Sequence, residues 1–206
     1  MGVANARFCA KTTATRLMRL AAHLAGGAAL GVLIASNTPA LADSSAQRQI
    51  DPARSTAQFS VEHIFVDRVT GTVPILNGSV TIPAGSSIPV SVTATLDPTR
   101  INSGDRDRDS SLESADYFDT KAFPTWTYTS TKVVPSSANA CAVDGLLAIH
   151  GVTVPEHLEV SIRGDSAHPV YHAVGHIDRH AFDMKGARLD PVIGNPVDVT
   201  LDIVLK

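Results

Sequence analysis

From Ser55 onward the chain is a succession of short segments in which apolar and polar residues alternate, each ended by Gly, Pro, Asn or Asp. In the first segment Ala57, Phe59 and Val61 share one parity, and polar residues take the other. Successive side chains of a strand point to opposite faces of a sheet, so this period of two predicts half-buried β-strands. About eight such segments occur, with short connections and no spacing for βαβ units. We therefore predict an all-β protein built as an eight-stranded antiparallel barrel.

One stretch, residues 105–128, interrupts the alternation between the third and fourth predicted strands. Leu112 and Ala115 fall at helical spacing, and Ser110 with Glu113 three residues later is a capping-box pattern that predicts a helix start. A single helix cannot bury its apolar stripe alone. We therefore predict a short helical insert that lies against the sheet as a plug or lid.

The first 42 residues have the pattern of a secretory signal peptide. A basic leader without acidic residues precedes an apolar run at 20–35, and Ala40-Leu41-Ala42 forms a small-x-small cleavage site. The alternative is an uncleaved membrane-surface anchor. Residues 43–50 are polar and are expected to form a flexible segment, and 51–206 are expected to form the folded domain. A cleaved leader predicts a periplasmic protein.

Charge and cysteine content exclude several classes of protein. The sequence has 17 Lys and Arg against 20 Asp and Glu; removal of the four basic leader residues leaves 13, a formal net charge of −7. A nucleic-acid partner favours the opposite sign, so none is expected. Cys9 lies in the leader and Cys141 then stands alone, so no internal disulfide is expected. A structural role for Cys141 is favoured over a reactive thiol or a pairing between chains.

The residues on the predicted inward faces are unusually small. They include Ala57, Ala94, Gly145, Ala173 and Gly175, and the whole chain has only six Phe, three Tyr and one Trp. An eight-stranded barrel either fills its interior with side chains or holds one small ligand. Few large side chains favour the second outcome, and an apolar wall favours a lipid as the ligand.

Three blocks of sequence, in order, resemble the YceI-like, polyisoprenoid-binding proteins. The blocks are DPARSTAQFSVEH at 51–63, RDSSLESADYFDTKAFPTW at 108–126 and VDGLLAIHGVTVP at 143–155. The resemblance covers nearly all of 51–206. It implies a lipocalin-like barrel around a long apolar channel that holds a polyprenyl chain, an isoprenoid quinone or a fatty amide. It also implies that the helical insert shapes the closure of the barrel.

The predicted ligand-binding residues combine apolar wall positions with a few polar contacts. His63 is either a hydrogen-bonded core histidine or a contact to a ligand headgroup, with Arg108 or Tyr128 as a second contact. The full set is Phe59, Val61, His63, Val92, Leu96, Arg108, Leu112, Phe118, Phe123, Trp126, Tyr128, Leu147, Ile149, Val160, Ile162, Ile177, Val199 and Leu201.

Two further groups of residues are weaker candidates for metal sites. His168, His172, His176 and His180 recur every four residues, but four residues of a strand span roughly 13 Å, too far for two ligands of one zinc ion. Surface histidines are the favoured interpretation. The acidic residues of 105–116 partly fit a calcium-loop template, but Ser110 stands where that loop requires Gly. We favour helix stabilisation by Asp109, with Arg108 in a structural ion pair.

The sequence contains no nucleophile elbow and no glycine-rich phosphate loop. We therefore predict a binding protein rather than an enzyme, without metal, nucleotide or covalent cofactor, that sequesters or carries an isoprenoid-type lipid. Two rival functions stay open: an accessory redox protein that presents a bound quinone to a membrane partner, and an enzyme acting on the bound lipid. The sequence does not distinguish a monomer from a homodimer, and it allows a transient membrane-protein partner.

Overall fold

The computed structural model describes residues 44–64, 67–184 and 192–206, which belong to one compact unit, Leu41–Lys206. Within these ranges ten β-strands form one antiparallel sheet. A single α-helix, α1 (Arg106–Glu113), lies between the fifth and sixth strands. The strands are β1 (Ser45–Gln49), β2 (Thr56–His63), β3 (Asp67–Thr72), β4 (Ile75–Pro83), β5 (Ser91–Leu96), β6 (Trp126–Ser137), β7 (Ala140–Ile149), β8 (Val152–Arg163), β9 (Val170–Asp178) and β10 (Ile193–Val204). The predicted all-β antiparallel class is confirmed.

The predicted count of eight strands, with the helix after the third, is not confirmed, since ten strands are present in the described ranges and α1 follows β5. One additional strand is β4. The pair Asn77-Gly78 is typical of a hairpin turn, but β4 runs through it with a register shift between Ile75 and Asn77. A Cβ atom on Gly78 would lie 2.6 Å from Cδ1 of Ile50. The glycine therefore permits close packing at a bulge instead of reversing the chain.

The other additional strand is β1, which occupies most of the segment 43–50 that the sequence predicts to be flexible. Ser45 to Gln49 pair with Ser79 to Pro83 of β4. Gln47 also donates a side-chain hydrogen bond to Ser79 (3.0 Å). Polar composition therefore did not prevent pairing, because an edge strand exposes its side chains while its backbone is satisfied by the neighbouring strand. The predicted signal peptide, 1–42, lies outside the described residues.

The strands follow the order β1-β4-β5-β6-β7-β8-β9-β10-β2-β3 across the sheet. Directly after β1, Ile50 donates its N–H to Gly78 of β4 (2.9 Å), and Asp51 donates to Val204 of β10 (2.8 Å). Lys206 donates in turn to Gln49 (2.9 Å). The sheet therefore curls until the residues after β1 bond both β4 and the end of β10. Such curling accumulates from the right-handed twist of strands.

Side chains fill the curled sheet toward the end that contains the β6–β7 hairpin. Ile82, Cys141, Ile162 and Leu205 are buried there as part of one hydrophobic cluster. Cys141 is fully buried, and burial raises the pKa of its thiol. A thiol in this environment is protonated and weakly reactive.

Helix α1 begins earlier than the sequence pattern predicted. Asp105, not Ser110, is the N-cap: its carboxylate accepts the backbone N–H groups of Asp107 (3.0 Å) and Arg108 (3.1 Å). The N–H of Arg108 lowers the pKa of Asp105, since it stabilises the charged carboxylate. The apparent capping box at 110–113 lies in the last turn of the helix. The first turn is thus anchored by an aspartate on the loop that leaves β5.

Candidate functional site

The interior of the curled sheet contains a cavity of about 430 Å³, within the usual range for small-molecule pockets. Apolar side chains form almost all of its wall and come from nine strands, β2 to β10, and from α1. Arg108, Ser111 and Leu112 of the helix border it, and Ser111 is also exposed to solvent. The cavity therefore approaches the surface beside α1, at the end of the sheet opposite the filled cluster.

Most of the residues predicted to bind a ligand border this cavity. The fold brings them together from both ends of the sequence. They are Phe59, Val61, His63, Val92, Leu96, Arg108, Leu112, Phe118, Trp126, Tyr128, Leu147, Ile149, Val160, Ile177, Val199 and Leu201. Two predicted residues, Phe123 and Ile162, are not part of its wall. Alternation identified the inward face correctly, but it does not say at what depth along a strand the cavity ends.

Ile162 faces inward and pairs with Tyr171, within the filled end of the sheet. Phe123 instead packs on the β7–β8 turn, where its ring stands edge-on to His150 at a centroid distance of 5.4 Å. His150 and Gly151 both have positive φ, the requirement of a tight two-residue hairpin turn. A Cβ atom on Gly151 would lie 2.6 Å from the ring of Phe123. Phe123 therefore stabilises a turn and does not reach the cavity.

Two glycines on inward faces make room for aromatic rings. Phe59 pairs with Gly71, and a Cβ atom on Gly71 would overlap the ring of Phe59. The ring of Tyr128 likewise covers Gly145. Small inward residues were predicted to leave empty space; at these positions they let a ring lie along the wall. The cavity is consequently lined by flat aromatic faces as well as by aliphatic side chains.

Trp126 and Phe118 form the part of the wall next to α1. Their rings meet edge-to-face with centroids 4.7 Å apart and planes at 75°, a favourable aromatic geometry. Trp126 is 8% exposed, and its indole N–H has no hydrogen-bond partner in the described part of the chain. Packing rather than hydrogen bonding therefore holds this ring in place.

The polar groups at the helix are held by loop contacts. Arg108 donates from Nε to the hydroxyl of Ser103 (2.9 Å) and from Nη2 to its carbonyl (3.3 Å). Asp109 accepts from the N–H (2.8 Å) and hydroxyl (2.6 Å) of Ser103. Among the described residues these hydrogen bonds, and not an ion pair within 4.0 Å, position the guanidinium of Arg108, whose charge still acts on Asp105. The carboxylates of Asp105 and Asp109 face N–H and O–H donors, which explains the acidic pattern without calcium.

Other polar groups border the cavity further inside. His63 is half-buried on the inward face of β2, as predicted. Tyr128 donates its hydroxyl to the carbonyl of Val143 (3.3 Å), and burial raises its pKa. Arg179 is 5% exposed and donates to the carbonyls of Met184 (2.8 Å) and Ile193 (2.9 Å). These bonds fix the chain segments that flank the cavity near β10.

Sequence reasoning missed Glu156, an acidic residue of the cavity wall. It shares the inward parity of β8 with Leu158 and Val160. Pro155 and His157 obscure the alternation on the N-terminal side of Leu158, so the sequence pattern did not mark Glu156 as inward-facing. Extension of the same parity by two residues toward the N-terminus would have identified it. Tyr171 and Met184 also border the cavity without having been predicted.

The histidines of 168–180 were expected to be surface residues with no metal. Nδ1 of His172 lies 2.8 Å from a carboxylate oxygen of Asp202, and Nδ1 of His176 lies 2.8 Å from one of Asp198, so each aspartate accepts a hydrogen bond from the ring. Both acids lie on β10. Among the described residues no group of three or more His, Cys, Asp or Glu side chains is arranged to hold a metal ion. His172 and His176 therefore make cross-strand pairs with aspartates, whereas His168 lies 3.6 Å from Asp165 in the loop before β9.

A membrane-spanning helix is not found in 44–64, 67–184 or 192–206, since no helix in these ranges has the length and hydropathy to cross a bilayer.

The sequence profile of the YceI-like domain matches residues 49–205, most of the chain and all nine strands that border the cavity. This chain belongs to the YceI-like domain family. A UPF0312 protein of Staphylococcus aureus strain USA300 is 31% identical over 120 residues, which cover 58% of this chain and 67% of that protein. A UPF0312 protein of strain MRSA252 is 30% identical over the same shares.

Solved structures of YceI-like proteins and related domains share the fold. Burkholderia cenocepacia BcnA superimposes with a TM-score of 0.68 at 21% identity, over 76% of this chain and 99% of its own. A Saccharophagus degradans domain described as polyisoprenoid-binding and implicated in plant cell wall breakdown gives 0.60 at 17% identity, over 77% and 97%. A Campylobacter jejuni YceI protein gives 0.55 at 19% identity, over 59% and 75%. At these low sequence identities the structural similarity shows a shared fold and nothing beyond it.

Proposed function

We propose that this YceI-like protein binds a lipid with a long apolar chain, such as a polyprenyl lipid or an isoprenoid quinone, and sequesters or carries it. The observation that carries the proposal is the cavity of about 430 Å³ with an almost wholly apolar wall. Water in such a space makes few hydrogen bonds to the wall, so an apolar occupant is favoured.

Burial of the chain supplies the driving force. Each Å² of apolar surface removed from water contributes about 25 cal/mol, so a ligand that hides roughly 400 Å² gains about 10 kcal/mol. Association and ordering oppose this gain by about 4–15 kcal/mol, and a rigid sheet keeps the protein's share of that cost small. The rings of Phe59, Phe118 and Trp126 add dispersion contacts that a flat isoprenoid unit or a quinone ring can use.

Membership of the YceI-like family and the fold shared with the polyisoprenoid-binding Saccharophagus domain support this ligand class. They also support a binding role over a catalytic one. We place the protein in the periplasm, on the signal-peptide pattern of 1–42. A bound quinone would extend the role to presentation of that quinone to a membrane partner.

The test is extraction of the purified protein with organic solvent, followed by mass spectrometry of the extract. We expect a lipid with a long apolar chain in near-stoichiometric amount. Ultraviolet spectra before and after dithionite reduction then distinguish a quinone from a polyprenyl or fatty lipid. The matched control is Ala94→Phe, which places a ring in the cavity and should be recovered without lipid. A protein that yields no lipid, and binds none when it is offered, would disprove the proposal.

A further inference from the structure

Glu156 is the one acidic side chain on the cavity wall within the described residues. It lies on the inward parity of β8, beside Leu158, and pairs across the sheet with Gly145 of β7. Because that neighbour is a glycine, no side chain from β7 stands between the Glu156 carboxyl and the ring of Tyr128 that covers the glycine. A carboxyl group therefore borders a space that is otherwise almost entirely apolar.

This carboxyl has no hydrogen-bond or ion-pair partner among 44–64, 67–184 and 192–206. Other acids of the sheet are paired: Glu159 with His157 (3.1 Å) and Glu62 with Arg68 (3.5 Å). Glu156 is partly buried, so water still reaches it while the cavity is unoccupied. A carboxylate without a partner depends on that water for solvation.

The charged and titratable groups around Glu156 come from every element packed against it. Tyr128 of β6 and Asp144 of β7 lie on one side, and Asp178 lies at the end of β9 on the other. Burial first, and then the charge of Asp178, raise the pKa of Glu156. Arg179, the residue after β9, also borders the cavity, and it donates to the backbone carbonyls of Gly194, Ile193 and Met184.

We propose that Glu156 couples ligand binding to proton uptake, so that an uncharged apolar chain binds most tightly when Glu156 is protonated. The inference rests on the proposed function, because it requires an apolar ligand in the cavity. It assigns Glu156 a selective role: a neutral chain is accepted beside it, whereas a ligand that places an anionic group at this level of the wall is repelled.

The coupling follows from solvation. An apolar chain that fills the cavity removes the water around Glu156 and offers no hydrogen bond in return, so the charged form becomes less stable still. The pKa of Glu156 is then higher in the complex than in the free protein. By linkage, affinity for the chain is constant below the pKa that Glu156 has in the free protein. Between that pKa and the higher pKa in the complex, affinity falls by up to about tenfold per pH unit.

The sign of this dependence separates a carboxyl group such as Glu156 from a histidine on a cavity wall. Protonation of a histidine adds a positive charge, whereas protonation of a carboxylate removes a negative one, so the two kinds of group give pH dependences of opposite sign. A histidine-controlled cavity would therefore bind a neutral chain more tightly as the pH rises. A cavity controlled by Glu156 does the reverse.

The experiment is a fluorescence titration of the full-length protein with the uncharged probe phenylnaphthylamine from about pH 5 to about pH 8. Glu156→Gln removes the charge and keeps the shape of the side chain. Glu159→Gln is the matched control, because Glu159 lies on the outer face of the same strand with a side chain 64% exposed. Circular dichroism checks that each variant is folded.

We expect the wild type and Glu159→Gln to lose affinity as the pH rises, and Glu156→Gln to bind equally at every pH. At the upper end Glu156→Gln should bind the probe up to about tenfold more tightly than the wild type. A wild type without pH dependence, one with the opposite sign, or a dependence that persists in Glu156→Gln would overturn the proposal.

A second measurement needs only the wild type and covers the case in which Glu156→Gln does not fold. Addition of the probe to protein in weakly buffered solution with an indicator dye should consume protons where affinity depends on pH. Binding without proton uptake at any pH would refute the coupling while the proposed function stands. A wild type that binds no probe at any pH would instead refute the proposed function, and the coupling with it.

Discussion

Ala94→Phe is the most direct perturbation of the cavity. Ala94 borders the cavity from β5 and lies opposite Tyr128 of β6. A phenylalanine side chain buries at least about 150 Å², and most of the added ring would occupy space that the ligand otherwise uses. A ligand that loses about 100 Å² of buried surface loses about 2.5 kcal/mol. This corresponds to roughly a 60-fold higher Kd, because about 1.4 kcal/mol is a factor of ten.

The assay is the same probe titration at one pH, with thermal unfolding as the test of integrity. Since the new ring fills empty space, the melting temperature should stay the same or rise. Val174→Phe is the control: Val174 is 42% exposed on the outer face of β9, so its ring lies outside the sheet and affinity should not change. A folded Ala94→Phe variant with wild-type affinity would show that ligands do not occupy this cavity.

Three further predictions concern the wall and the outer face. Arg179→Met should destabilise the protein by several kcal/mol in denaturant unfolding, because each buried carbonyl left without a donor costs about 1–3 kcal/mol. The control is Arg163→Met, at an exposed position, which should change stability by less than about 0.5 kcal/mol. Gly145→Ala should cost about 1–3 kcal/mol in the same assay, since its Cβ atom overlaps a tyrosine ring. His157 should titrate above the ordinary histidine pKa in an NMR titration, because the hydrogen bond that its ring donates to the carboxylate of Asp144 raises its pKa, and Asp144→Asn should lower it. The stability that this pair contributes is present below the unfolded-state pKa of His157 and is lost as the pH rises through the folded-state value; no loss in that window would contradict the assignment.

The all-β class and the inward-facing side of each strand could be predicted from the sequence, because the alternation of apolar and polar residues is a local property of a strand. The parity of Phe59 and Val61 on β2, and of Leu147 and Ile149 on β7, matches their places on the cavity wall. The number of strands could not be predicted from the sequence in the same way. Pairing of β1 depends on backbone hydrogen bonds to β4, more than 25 residues away, which composition does not reveal.

The helix shows the same limit at shorter range. Ser110 and Glu113 satisfy a capping pattern, yet Asp105 caps α1, because Ser103 and the loop that leaves β5 place its carboxylate at the first free N–H groups. Several sequence positions compete for one helix start, and the loop geometry selects among them. Phe123 was misplaced for a related reason, since the turn at Gly151 draws its ring away from the interior.

By itself the sequence determined the alternation of apolar and polar residues, and with it an antiparallel sheet that has one apolar face. It also carried the family resemblance, in short blocks. What only the tertiary structure decided was the depth of the empty space and the position of the acidic group on its wall. Register and curvature place Ile162 in a packed end, and they place Glu156 beside a glycine in the open part. Both residues have the same parity on the same strand; burial along that strand depends on partners that are distant in sequence, because packing is a property of the assembled sheet.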